Sequence, residues 1–141
     1  MAAPMIVISC GKAKQKQAAP AGELYTGQFH RTCIKYARSI AETDDIYILS
    51  ALHGLVPFDR IIEPYDLKMG EPGSITRERL WEQAHDLGVE QRKVTVIGGL
   101  LYANLARNIW PSLIVPFGAE RGHKQWFQMM DAMNSQMGIS Q

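Results

Sequence analysis

Residues 45–69 read DIYILSALHGLVPFDRIIEPYDLKM, and the reading of this stretch decides the fold. Its first part, Asp45 to Ser50, is a short apolar run of the kind that makes a strand buried on both faces. Its second part, Leu49 to Met69, has no sustained helical or strand period and carries one histidine, three carboxylates, two prolines and an arginine. Pro57 and Pro64 each remove a backbone donor and restrict the residue before them, which argues against a ladder or a helix interior there. A long ordered loop leaving the end of a buried strand is where an α/β sheet carries its chemistry. The stretch predicts a strand followed by a functional loop.

Working outward, the same apolar run recurs at Met5 to Ser9, at Val94 to Ile97 and at Leu113 to Val115. Between these strands the periodicity turns helical. Thr26 is a candidate N-cap for a helix from Gly27 to Glu42, with Phe29, Cys33, Ile34, Ala37, Ile40 and Ala41 at helical spacing. Ser74 is the candidate cap for Ile75 to Leu87, which Gly88 would close. A third helix, Leu100 to Ile109, follows Gly98-Gly99 with Leu101, Leu105 and Ile109 on one side, and a fourth is expected from His123 to Met137. Ala18 to Gly22 reads as an irregular loop pinned by Leu24 and Tyr25.

This βαβαβαβα alternation predicts a three-layer α/β/α domain with a mostly parallel four- or five-stranded sheet, residues 1–141 forming a single α/β domain. In a parallel sheet the loops after all the strands emerge at one edge. Ser9 to Lys16, Ala51 to Lys68, Gly98-Gly99 and Phe117 to Lys124 would then surround one cleft.

Composition narrows the function classes. A hydrophobic fraction of 46% and a charged fraction of 21% argue against general disorder, and the net charge of +1 neither demands nor forbids a nucleic-acid partner. No apolar run reaches the length of a membrane span, and MAAPMIVIS lacks the features of a signal peptide, so a cytoplasmic protein is expected. Cys10 and Cys33 do not make a disulfide framework, and the histidines at 30, 53, 85 and 123 lack metal-ligand spacing. Neither a metal nor a cofactor is called for. A homodimer is compatible with the pattern, which does not separate interface from core.

The expected cleft offers several candidates. Ser9, Gly11 and Lys12 have the ingredients of an anion site but match neither the P-loop nor the dinucleotide fingerprint, and a strand-end loop needs polar residues in any case. Cys10 is a candidate nucleophile if Lys12 or His53 favours its thiolate, or else a small buried hydrophobe. His53 suits acid–base work or contact with a base, or braces its loop through one ring nitrogen. Asp59, Glu63 and Asp66 supply carboxylates, with Glu63 the first choice because Pro64-Tyr65 constrains it and with Arg60 as a structural partner. Gly118 and Gly122, with Lys124 beyond them, form a second candidate phosphate cradle.

The block LHGLVPFDRIIEPYDLKMG, residues 52–70, resembles the signature region of the YaaA-like proteins. Nearly the whole chain is similar to a group of small uncharacterised bacterial and phage proteins. The shared parts are Ser9-Cys10-Gly11-Lys12, Ala19-Pro20-Ala21 with Leu24-Tyr25, Leu49 to Leu67, and the glycine loop before Lys124-Gln125-Trp126. The resemblance implies a fold related to the nucleobase-handling domain found beside tRNA-guanine-modifying enzymes, and a bacterial host. It singles out Ser9, Cys10, Lys12, His53, Asp59, Glu63, Pro64 and Tyr65. YaaA itself looks like a DNA-binding protein of the oxidative stress response; this chain is shorter and has no evident helix-hairpin-helix.

Three functions follow as expectations. The first is an enzyme acting on a nucleoside, nucleotide or nucleic-acid base, at an N-glycosidic bond, with Glu63 or Asp59 stabilising charge on the sugar. The second is a non-catalytic nucleotide- or DNA-binding module in DNA modification or repair, using Lys12, Lys14, Lys16, Arg31 and Lys35. The third is a protein-interaction domain whose polar loops are merely well capped.

Overall fold

The computed structural model describes residues 4–117 and 128–133. Three of the expected strands form the heart of a mixed α/β fold: β1 (Met5–Ser9), β3 (Ile46–Ser50) and β6 (Val94–Ile97). β1 lies between the other two and runs parallel to both, with Ile8 opposite Ile48 on one side and Ile97 on the other. Their side chains alternate between two hydrophobic clusters. Met5, Val7, Tyr47, Leu49, Val94 and Val96 join one, and Ile6, Ile8, Ile46, Ile48 and Ile97 the other. A strand buried on both faces must be apolar at nearly every position, which explains the runs of β1 and β3; β6 is interrupted by Thr95, which is half-buried.

The fourth strand of the sheet corrects the reading of 49–69 as a single loop. β4 (Gly54–Pro57) folds back antiparallel on β3, giving the order β4-β3-β1-β6. Gly54, at φ +74°, makes the turn, and Pro57 is tolerated because β4 is an edge strand whose outer side needs no ladder bond. The chain then reaches β5 (Ile61–Ile62), which pairs antiparallel with β2 (Ala19–Pro20). So Ala18 to Gly22 is not irregular: β2 leads directly into the short helix α1 (Ala21–Leu24). The amides of Ala21 and Gly22 donate to the carbonyls of Arg60 and Phe58.

The expected last strand shrinks to one parallel bridge, Ile114 with Thr95, at the outer side of β6. Helix α2 (Gln28–Ile40) starts from Gly27, not from a Thr26 cap, and α3 (Arg77–Leu87) starts two residues after the expected Ile75. Thr76 is the α3 cap, its hydroxyl accepting the Arg79 amide at 3.1 Å, and Gly88 closes the helix at φ +70°. In α4 (Leu100–Arg107) the buried residues are Ala103 and Ala106. Leu100 and Leu101 stay 56% and 60% exposed, whereas Leu105 is half-buried against the core and Ile109, just past the helix, is buried, so of the expected stripe only Leu101 turns to solvent and the two alanines pack beside the rest. Residues 128–133 are helical and bury Met129 and Met133; Trp126 and Phe127 lie outside the described residues.

Candidate functional site

Because β1, β3 and β6 are parallel, Ser9, Ser50 and Gly98 meet at the carboxyl edge of the sheet. The approach is close: a Cβ on Gly98 would stand 2.1 Å from Ser9 Oγ, so only glycine lets β6 leave the sheet there. The Cys10 amide extends the ladder to the Leu49 carbonyl at 3.0 Å, and the chain then turns through Gly11 and Lys12. Bonds from Gln15 to Leu24 and from Thr26 to Ala13, with a Lys14–Tyr25 bridge, clamp this loop onto the end of α1. The result is a pocket of about 300 Å³ lined on one side by Cys10, Gly11, Lys12 and Lys14. Asp66 to Met69 and Leu101 with Tyr102 form its other walls.

Hydroxyl groups gather behind the pocket. Ser50, fully buried, accepts the Leu52 and His53 amides on Oγ at 3.2 and 3.0 Å and donates to Tyr65 Oη at 2.7 Å. Tyr65 Oη is 2.7 Å from Tyr25 Oη, and Tyr102 Oη is 3.2 Å from Cys10 Sγ. Burial pushes Tyr25 up to about 12. Tyr65 and Tyr102 are raised further, by burial first and then by the charge of a Cys10 thiolate, so all three phenols stay protonated and can donate. The Lys14 ammonium rides 4.4 Å above the Tyr65 ring, a cation–π contact that aims its charge at the pocket.

Two histidines flank this cluster. His30, 3% exposed, places Nδ1 3.1 Å from the Ser9 carbonyl, and burial pulls its pKa down to about 4. A carbonyl only accepts, so the neutral ring carries its proton on Nδ1, and its buried Nε2 has no partner among the described residues. His53 is lowered by the same desolvation and packs edge-on against Tyr65 at 5.4 Å. Its carbonyl accepts from Gln83 at 2.8 Å, and its Nε2 is likewise buried and unpartnered among the described residues.

The expected site residues therefore separate. Cys10, Gly11 and Lys12 line the pocket, Ser9 lies at the strand end beneath it, and Tyr65 and His53 sit in the cluster behind. Asp59 goes elsewhere. The Phe58 amide bonds the carbonyl of Ile46, the first residue of β3, so Asp59 hangs at the amino edge, opposite the pocket. Glu63 is exposed and does not line the pocket; the carboxylate that does is Asp66. No ion pair among the described residues joins Arg60 to a carboxylate. Gly118, Gly122 and Lys124 lie outside the described residues.

Sequence reasoning passed over Ser50, Tyr102 and Lys68, and placed Lys14 on a basic surface of the binding module and not in the pocket. The one local signal was a serine closing an otherwise apolar strand, and a hydroxyl buried there requires partners. Among the described residues no group of three His, Cys, Asp or Glu is placed to hold a metal, and no helix is long and apolar enough to cross a membrane.

Comparison with protein families matches residues 5–129. The chain belongs to the DUF6884 family, a family of unknown function. No curated protein and no solved structure matched. The DUF6884 match takes in every described residue of the pocket, from Cys10 to Tyr102, together with the hydroxyl cluster behind it.

Proposed function

We propose that this protein is an enzyme acting on a nucleotide, or on a phosphate-bearing nucleoside unit of a nucleic acid, at its N-glycosidic bond. One observation carries the reading: Lys12, Lys14 and Lys68 converge on a single pocket with one carboxylate, Asp66, and with the Cys10–Tyr102 pair. Three ammonium groups against one carboxylate favour a phosphate dianion. The pocket's about 300 Å³ falls at the small end of ligand sites, where a mononucleotide fits and a long polymer segment does not. Leu101, Met69 and the Tyr102 ring offer the apolar contact a base needs. Asp66 takes the part of stabilising positive charge on the sugar, since Asp59 and Glu63 lie off the pocket.

The two hydrophobic clusters on either side of the sheet support a three-layer, YaaA-like arrangement. The binding-module alternative draws on the same displacement of Asp59 and Glu63, which leaves one carboxylate where a glycosidase ordinarily uses two.

Calorimetry with nucleosides, nucleotides and short single- and double-stranded DNA and RNA at two salt concentrations tests the choice. The expected result is saturable nucleotide binding, weakened about tenfold by Lys12→Ala and again by Lys68→Ala, as loss of a charge-assisted contact requires. Release of free base by the wild type but not by Asp66→Asn supports the enzyme. Steeply salt-dependent polymer binding that ignores Asp66 supports the module. No binding across the panel refutes both.

A further inference from the structure

The fold fixes Lys14, whereas it leaves Lys12 and Lys68 exposed along the same pocket. The Lys14 backbone bridges Tyr25, flanked by the bonds that clamp Gln15 to Leu24 and Thr26 to Ala13. Its half-buried side chain lies over two rings of the hydroxyl cluster, the ammonium 4.4 Å from the Tyr65 centroid and 5.6 Å from that of Tyr25. One ammonium proton goes to the Lys12 carbonyl at 3.0 Å, and the other two have no acceptor among the described residues. The rings hold the ammonium without neutralising it, since an aromatic face attracts a cation but carries no net charge.

The charge is also left without a counter-ion. Among the described residues no ion pair joins Lys12, Lys14 or Lys68 to a carboxylate, and Asp66, in the same pocket, pairs with none of them. An ammonium drawn partly out of water is ordinarily paired. Three ammonium groups less one carboxylate leave two positive charges for a ligand to meet. An internal phosphodiester brings one negative charge; a phosphate monoester, whose second pKa is about 6, brings two above neutrality.

We infer that Lys14 is the specificity-determining residue of the pocket, and that the group it selects is a phosphate monoester dianion, on a free nucleotide or at the phosphorylated end of a chain. An internal diester is discriminated against. The two unused Lys14 protons go to phosphate oxygens, of which a monoester presents three and a diester two, while Lys12 and Lys68 supply the remaining charge. Tyr65 and Tyr25 act through Lys14 and are positioning residues. The inference rests on the reading of this pocket as a phosphate site, but neither on a base nor on cleavage of an N-glycosidic bond.

NMR titration of the intact protein with methyl phosphate and with dimethyl phosphate, at pH 5 and pH 7.5, tests it with no nucleoside present. At pH 7.5 methyl phosphate is expected to bind about tenfold more tightly than dimethyl phosphate, and to lose most of that advantage at pH 5, where it is a monoanion. Sulfate, a dianion at both pH values, controls for titration of the protein and should bind equally at both. Lys14→Ala should weaken methyl phosphate about tenfold and abolish its preference over the diester, whereas Lys16→Ala, outside the pocket, should change nothing. Tyr65→Leu should cost nearly as much as Lys14→Ala, and nothing further once Lys14 is alanine. Tyr65→Phe keeps the ring and should stay within about twofold of wild type. If Tyr65→Leu does not fold, the upfield ring-current shift of the Lys14 ε-protons, expected in wild type and in Tyr65→Phe, carries the same test. No binding of either ester, equal affinity for the two at pH 7.5, a Lys14→Ala protein that still prefers the monoester, or Lys14 ε-protons without the ring-current shift overturns the inference. Nucleotide binding undiminished by Lys14→Ala would overturn it and leave the proposed function standing. Lys14-dependent binding of methyl phosphate in a protein that binds no nucleotide would sustain it while removing the nucleotide reading.

Discussion

Replacing Ser50 by alanine removes one oxygen from the centre of the molecule and breaks three hydrogen bonds at once. The amides of Leu52 and His53 lose their acceptor and Tyr65 loses its donor. At about 1 kcal/mol net for each bond the ceiling is about 3 kcal/mol. Leu52 is exposed, so its amide can turn to water, and the expected loss falls to about 2 kcal/mol. Urea unfolding followed by tryptophan fluorescence measures this as a lower midpoint at unchanged slope. Thermal unfolding should shift down by about 6 °C for a chain of this size. The double variant Ser50→Ala, Tyr65→Phe sharpens the test. If the two hydroxyls share one bond, the losses are sub-additive by about 1 kcal/mol. A loss under about 0.5 kcal/mol, or strict additivity, would refute the hub assigned to Ser50.

Gly22→Ala should cost about 2 kcal/mol by overpacking, because its Cβ would lie 2.2 Å from the Phe58 ring; Phe58→Leu in the same chain should recover part of the loss in urea titrations. Stability should also fall with acid. His30 binds its proton at about 4 folded and near 6.5 unfolded, so the unfolded chain takes up more protons between those values. Its contribution is complete above pH 6.5 and is lost as pH falls toward 4, by at most about 3 kcal/mol. His30→Gln should flatten that part of the profile of unfolding free energy against pH, and an unchanged slope would exclude His30 as its source.

What could be read from the sequence was whatever a short window contains. β1 and β3 are apolar up to their closing serines, and β6 is apolar but for half-buried Thr95, because their residues are buried on both faces, and that constraint is written in five adjacent positions or fewer. Gly88 was legible for the same reason, since a helix end needs one residue at positive φ. α4 was legible in part: Leu105 and Ile109 pack as the apolar pattern implied, but Leu101 does not, and the fully buried positions are Ala103 and Ala106, which close approach to the sheet favours. The tyrosines of the cluster are separated by 40 residues, and Cys10 and Tyr102 by 92, so no window could have joined them.

The carboxylates were misplaced for a more instructive reason. Asp59, Glu63 and Asp66 share one segment, and proximity along it implied proximity in space. β4 instead carries the chain the full length of β3, from Gly54 opposite Ser50 to Pro57 opposite Tyr47, before Asp59 is reached. The segment must then return past β5 to bring Tyr65 back to Ser50. Over seven residues the chain therefore travels from the amino edge to the carboxyl edge, and only its last carboxylate, Asp66, arrives at the pocket. The prolines that argued against a ladder or a helix interior are compatible with this path. Pro57 ends an edge strand, and Pro64 holds the extended approach that delivers Tyr65 to the hydroxyl cluster.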